Sequence, residues 1–217
     1  MIILFDLDGT LIDSTEAILE SFHNSFNHFG VAHPSDESIT KLIGYPLDIM
    51  YSELGIEDSL VWSYVDVYKL HYRKISTQKT ILLPFAKESV VKASKFARLG
   101  IVTTKTALYS RELMENFGLM DYFEILIGRE DVKNPKPHEE PILKAIEALE
   151  MISATKVLKS ECWIIGDTLL DIDSAKAAKI GAIGVTSGYG TKNILEKNCD
   201  IVCENSLKAV EILQKVT

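Results

Sequence analysis

The 217-residue chain reads as an α/β protein, a doubly wound parallel sheet interrupted by a helical insertion. Three observations predict this. The opening MIILF is apolar without alternation, as in a parallel strand buried on both faces. From residue 85 onward, short Val/Ile/Leu-rich runs alternate with helical periodicity, the pattern of βαβ crossovers. Between them lies a stretch of about 70 residues that is helical in character throughout.

Taken in order, the opening strand ends in Asp6 and Asp8, and Asp13 is placed to cap a helix with Glu16 three residues on. Ile18, Leu19, Phe22, Phe26 and Phe29 fall on one face of that helix, and Gly30 ends it. Apolar periodicity continues in 47–54 and 59–75 with no convincing strand, and Pro84 closes the block. A helix at 86–97 then leads through Gly100 into GIVTTK. One near 107–117 leads into FEILIG, and one at 139–150 into CWIIGD. Another at 172–179 leads into GAIGVT, and a short one near 191–197 into DIVCE. The economical division is a core of residues 1–13 and 84–217 with a helical insertion at 14–83. The connections near 12–15 and 80–86 set that insertion over the first strand.

Composition narrows the function. A net charge of −8, with no long run of Lys and Arg, argues against nucleic-acid binding. No apolar run approaches the roughly 18–20 residues of a membrane span. The first residues lack the basic start of a signal peptide and break at Asp6. Cys162, Cys199 and Cys203 are odd in number without CxxC spacing, which suits reduced thiols in a cytoplasm, with Cys162 a core residue. A monomer or homodimer is expected.

In an open parallel sheet, ligands bind beyond the carboxyl ends of the strands. Those ends carry Asp6 and Asp8, then Thr103, Thr104 and Lys105, then Asp167 and Asp171, with Lys136 on the loop before 139–150. A turn and a helix cap account for Asp13 but not for clustered carboxylates plus a lysine. These residues resemble the haloacid dehalogenase superfamily, whose four motifs occur in order. They are DLDGT at the start, Thr103 in GIVTTK, Lys136 before Pro137, and GDTLLD at 166–171.

The resemblance implies that the side chains of Asp6 and Asp167, with the backbone carbonyl of Asp8, hold Mg²⁺. That ion takes about six oxygens near 2.0–2.1 Å. It further implies that Asp6 attacks phosphorus and forms an aspartyl-phosphate. Asp8 protonates the leaving alkoxide and then activates water. Gly9 lets the backbone approach the phosphoryl oxygens, and Thr103 and Lys136 neutralise their charge, with Thr104 beside them. Asp171 orients Lys136 or a metal-bound water. Members that expel halide lack an acid two residues after the nucleophile, so Asp8 favours phosphoryl chemistry, and the insertion resembles the family's mobile cap.

Some positions depart from the family. Lys133 rivals Lys136, which is preferred because it directly precedes Pro137; Lys179 stands where a Gly is common, and PFAKE lacks the Gly usual at the second hinge. The string GAIGVTSGYGTKN is off-pattern for a dinucleotide loop and reads as turns. Trp62 and Trp163 read as packing residues, and Lys69, His71 and Arg73 as a solvated helix face or as contacts to substrate. Within the insertion, Tyr45 in the IGYPLD turn and Arg73 are the candidates for contacting substrate. The expected function is hydrolysis of a small phosphorylated metabolite, in the manner of phosphoglycolate phosphatases. A pyrophosphatase, a phosphomutase like the β-phosphoglucomutases, and a non-catalytic binding module are the alternatives.

Overall fold

The structure, a computed structural model, describes residues 1–216. Its elements, in order, begin with β1 (Ile2–Phe5), β2 (Ile12–Asp13), α1 (Thr15–His28), α2 (Asp36–Thr40), α3 (Leu47–Glu53), α4 (Asp58–Lys79) and β3 (Ile81–Leu82). There follow α5 (Ala86–Ala93), β4 (Arg98–Val102), α6 (Ala107–Asn116), β5 (Ile125–Ile127), α7 (Glu140–Ser153), β6 (Cys162–Gly166) and α8 (Leu169–Ala178). The chain closes with β7 (Gly181–Val185), α9 (Lys192–Asn198), β8 (Val202–Cys203) and α10 (Ser206–Leu213).

Six strands form one parallel sheet in the order β5-β4-β1-β6-β7-β8. β1 lies inside it, and all four of its residues are wholly buried. Successive side chains point to opposite faces. Ile3 and Phe5 join a core completed by Val90, Ile101 and Val210, whereas Ile2 and Leu4 face Ile142, Ala145 and Ala175. This two-sided burial is why the strand carries no polar alternation. From β1 the sheet grows outward through β4 and β5, then returns across β1 to β6, β7 and β8. The reversal between β4 and β6 opens a crevice beyond the carboxyl end of β1.

Helices α1, α3 and α4 pack on an apolar cluster of their own, with Ile18, Phe22, Tyr51, Val65 and Tyr68 at its centre. Where no strand was expected before residue 84, Ile81–Leu82 pairs antiparallel with Ile12–Asp13. Asp13 therefore ends a strand, and its carboxylate accepts the Thr15 N–H at 2.9 Å and the Thr15 hydroxyl at 2.6 Å rather than capping a helix from the N-cap position. Two positions lacking an expected glycine hold left-handed backbone all the same, Phe85 at φ 66° and Lys179 at φ 61°. No helix of the described residues is long and apolar enough to cross a membrane.

Candidate active site

Asp6, Thr103 and Asp167 are each the first residue past a strand, and those strands, β1, β4 and β6, are neighbours. The ladder continues one rung into them: the Asp6 N–H donates to the Ile165 carbonyl at 2.9 Å, and the Thr103 N–H to the Ile127 carbonyl at 3.0 Å. Strand adjacency alone thus brings together residues separated by up to about 160 positions. Lys136 enters from the loop before α7 and is 3% exposed. Its ammonium lies 2.9 Å from Asp6 Oδ1 and 2.5 Å from Asp171 Oδ1, and donates to the Val102 carbonyl at 3.1 Å. The rival Lys133 is exposed, its N–H donating to Glu140, so the buried lysine is Lys136.

Asp6, Asp167 and Asp171 each offer a carboxylate oxygen within 4.8 Å of the others. With Lys136 the formal charges leave a buried cluster at −2. Its electrostatics register that excess. Burial pushes Asp6 up to about 7, Asp171 adding repulsion and Lys136 opposing it. Burial also drives Asp167 well above the ordinary carboxylate range, with repulsion from Asp6 and Asp171 adding to it. Burial works against the Lys136 charge, but Asp171 and Asp6 outweigh it and raise its pKa.

The oxygens of Asp171 are engaged by Lys136 on one side and by Thr168 N–H (3.1 Å) and hydroxyl (2.8 Å) on the other. Asp171 therefore orients the lysine and closes the N-terminal turn of α8. Asp167 is fixed by the Thr10 hydroxyl at 3.1 Å and the Tyr189 N–H at 2.8 Å. Gly9 has φ +84°, and a Cβ there would fall 2.3 Å from Asp167 Oδ2, so both conformation and space demand glycine. Oxygen donors without His or Cys, around a −2 charge, fit a hard divalent cation such as Mg²⁺ rather than Zn²⁺.

Asp8 stands apart from this cluster. Its carboxylate accepts a short hydrogen bond from the Ser14 hydroxyl and lies 3.1 Å from the Lys105 ammonium. Lys105 in turn sits 4.6 Å over the Tyr72 ring of α4. Burial disfavours its charge, yet Asp8 and Tyr72 together raise its pKa.

Asp8, Lys105 and Thr104 border a cavity of about 220 Å³, closed on its far side by residues of α3, α4 and the turn before α3. Thr103 is buried beside it and accepts the Lys105 N–H at 3.2 Å. The Thr104 hydroxyl donates to the Gly44 carbonyl at 2.7 Å, tying the end of β4 to the IGYPLD turn. Tyr45 lines the cavity at 43% exposure. Arg73 does not line it. Its side chain is 61% exposed and 3.8 Å from Glu112. Lys69 does line the wall, while His71 pairs with Glu20 at 2.9 Å. Trp62, expected to pack, is 58% exposed on the cavity edge, whereas Trp163 covers Gly181 as a packing residue does.

Four site residues carried no role in the sequence reading: Thr10, Ser14, Lys105 and Tyr189. Lys105 is legible as a cation at a strand end. Tyr189 is not, since it comes from the glycine string read as turns. A Cβ at Gly188 would lie 2.1 Å from Asp167 Oδ2, so those glycines are where the loop closes on the carboxylate.

A parallel sheet with buried carboxylates and a lysine at its switch point defines an α/β enzyme with an acidic centre. The sequence profile of the haloacid dehalogenase-like hydrolases matches residues 3–185, and the chain belongs to that family. It is 30% identical over 202 residues to a protein named probable phosphatase IndB from Dickeya dadantii, covering 90% of this chain and 85% of that one. It is 27% identical over 199 residues to a phosphoglycolate phosphatase of Colwellia psychrerythraea, covering 87% and 85% respectively. A solved structure described as a haloacid dehalogenase-like hydrolase from Bacteroides fragilis superposes with a TM-score of 0.88 at 30% identity, over 96% of this chain and 98% of its own. The chain is a phosphatase-type hydrolase.

Proposed function

We propose that this hydrolase cleaves small organic phosphate monoesters through an aspartyl-phosphate on Asp6, with Mg²⁺ held by Asp6, Asp167 and the Asp8 backbone carbonyl. The observation that carries the reading is the buried −2 cluster of Asp6, Asp167, Asp171 and Lys136 at the switch point of the sheet. Bound there, a divalent ion supplies the positive charge that lets a carboxylate approach a phosphate dianion.

The residues then divide the work. A carboxylate oxygen of Asp6 bonds to phosphorus as the P–O bond to the alcohol breaks. Lys136 and the Thr103 hydroxyl meet the charge on the equatorial oxygens. Asp8, held outside the cluster, gives its proton to the departing alkoxide and later takes one from the water that attacks the phospho-enzyme, which releases phosphate and restores Asp6. Segment 14–83 acts as the cap, its helices α3 and α4 walling the cavity above Asp8. An organic ester is favoured over pyrophosphate because that wall is largely apolar, with Ile18, Ile43, Leu47, Met50 and Val65 among its residues. The names of the relatives make phosphoglycolate the reference substrate.

Release of phosphate from a panel of monoesters, pyrophosphate included, tests this. Activity should require Mg²⁺ and vanish in EDTA. Asp6→Asn should abolish turnover while retaining the near-ultraviolet circular dichroism of the parent. Turnover in a folded Asp6→Asn variant, or full activity in a verified metal-free sample, would refute the mechanism.

A further inference from the structure

The insertion and the core meet along one seam, and among the described residues two ion pairs cross it. Arg129, just past β5, lies 3.7 Å from Asp48 in the first turn of α3, and Arg73 of α4 lies 3.8 Å from Glu112 of α6. Both separations exceed the roughly 2.7–2.9 Å of a charge-assisted hydrogen bond. For Arg129 and Asp48 that is out of character, since their side chains are only 29% and 25% exposed. The other ion pairs in which neither side chain is more exposed than these, Lys105 with Asp8 and Lys136 with Asp6 and Asp171, close to 3.1 Å or less.

Arg129 carries a second unmet demand. Its Nη1 donates to the Val132 carbonyl at 3.3 Å, but its Nε is buried without a hydrogen-bond partner. A buried donor left unpaired is costly, and here water does not reach it. Nε and Nη2 share one edge of the planar guanidinium, the edge that can hold a carboxylate by two parallel bonds. Asp48 stands off that same edge, at Nη2. A single shortfall thus explains both observations: the carboxylate is about 1 Å from its seat. The core side of the pair is fixed, because the Arg129 N–H donates to the Lys105 carbonyl at 3.0 Å and the Glu130 carboxylate accepts the Ala107 N–H at 3.0 Å. Asp48 rides on the insertion, four residues beyond Gly44, whose carbonyl already holds the Thr104 hydroxyl at 2.7 Å. A small rocking of α3 about that contact brings the carboxylate home.

Resting on the phosphatase reading above, we propose that Arg129 is a positioning residue for the hydrolysis. It takes the Asp48 carboxylate side-on, through Nε and Nη2, when the insertion seats over a bound ester. The clasp holds α3 and the IGYPLD turn against the core while Asp8 transfers its proton, and it opens again to let product go. Both residues line the cavity, so what they hold in place is its wall. Neither meets the alcohol portion of the substrate, which makes the clasp indifferent to charge on that alcohol. An arginine is required, because the point charge of a lysine does not present two parallel donors to one carboxylate. The Arg73–Glu112 pair, at 61% and 35% exposure, is solvated on both sides and contributes little.

The experiment uses the full chain with Mg²⁺ and measures kcat/KM for ethyl phosphate, benzyl phosphate and phosphoglycolate, which all expel an alkoxide. Arg129→Gln and Asp48→Asn should each lower kcat/KM by about tenfold, the order of a charge-assisted hydrogen bond gained on closure. The factor should be the same with and without a carboxylate on the ester. The double variant should lose no more than either single one. Arg129→Lys, which keeps the charge, should still lose about fivefold or more. Without ester the pair is loose, so urea unfolding constants of the single variants should stay within about fivefold of the wild type. Glu112→Gln, on the other pair, should leave kcat/KM within about twofold. Losses that multiply in the double variant, or single variants within about twofold of the wild type, would overturn the clasp. So would a loss confined to phosphoglycolate, which would make Arg129 a ligand of the substrate, or a loss matched by an equal drop in the unfolding constant. Each of these leaves the phosphatase reading intact. A wild type inert toward all three esters and toward p-nitrophenyl phosphate would overturn both.

Discussion

Replacing Lys136 by Met keeps the volume of the side chain and deletes its charge, so it measures what the ammonium does for the fold. In the wild type that charge lies 2.5 Å from Asp171 and 2.9 Å from Asp6, at 3% exposure. Removing one partner of a buried pair typically costs about 3–5 kcal/mol. An upper limit follows from the escape route. A carboxylate left without its cation can be neutralised by a proton, and at pH 7 this costs about three pH units times 1.36 kcal/mol, or roughly 4 kcal/mol, from an ordinary carboxylate value of about 3.9. Asp6 adds little, because its pKa already stands at about 7. The expected loss is therefore about 3–4 kcal/mol in EDTA at pH 7, or about 6–16 °C in melting temperature for a chain of this length. The sign with pH is fixed. The variant's folded state binds a proton that its unfolded state does not, so its stability relative to wild type falls as pH rises above the ordinary carboxylate value. At pH 5 the same escape costs only about 1.5 kcal/mol. Urea unfolding of both proteins in EDTA from pH 5 to pH 7.5 reads this directly. A deficit below about 1 kcal/mol at pH 7, or one that does not shrink toward pH 5, would refute the reasoning.

Two further outcomes follow. Asp8→Asn should slow alkyl phosphates far more than the burst of p-nitrophenol from p-nitrophenyl phosphate, whose leaving group needs little proton donation; a burst reduced as severely would count against the acid role. Lys179→Gly should raise stability by about 0.5–1 kcal/mol, since left-handed backbone costs a side chain about 1–2 kcal/mol and glycine's unfolded freedom returns part of it. An unchanged or lower melting temperature would show that the turn holds Lys179 without strain.

The sheet was legible because a strand buried on both faces cannot hide its composition. MIILF, GIVTTK and CWIIGD all announce β1, β4 and β6, and adjacency of those strands then assembles the acidic centre. The ribbon of Ile12–Asp13 with Ile81–Leu82 was not legible, because two residues per strand are too few to show a period and the pairing spans nearly 70 positions. Phe85 and Lys179 misled in a related way. Glycine is the usual sign of a left-handed residue, yet here Phe85 and Lys179 hold that conformation. On α4, periodicity gives the face but not where along the helix the cavity ends. Lys69 and Arg73 share a side, and only packing decides that Lys69 reaches the wall while Arg73 turns to Glu112. The Tyr189 contact to Asp167, 22 residues away, depends on how a loop folds back and leaves no mark beyond its glycines.

The two opening carboxylates differ in their surroundings, and that difference supports the division of labour proposed for them. Asp6 belongs to a cluster assembled wholly from the ends of core strands and α8, with Lys136 and Asp171 fixed beneath it. Among the described residues, its hydrogen bonds and ion pairs all stay outside residues 14–83. Asp8 is tied instead to Ser14, where the insertion begins, and to Lys105, whose ammonium rests on Tyr72 of α4. On the proposed mechanism, attack at Asp6 is therefore organised by polar contacts within the core. On the same proposal, proton delivery by Asp8 responds to where α4 stands, through Lys105 and Tyr72.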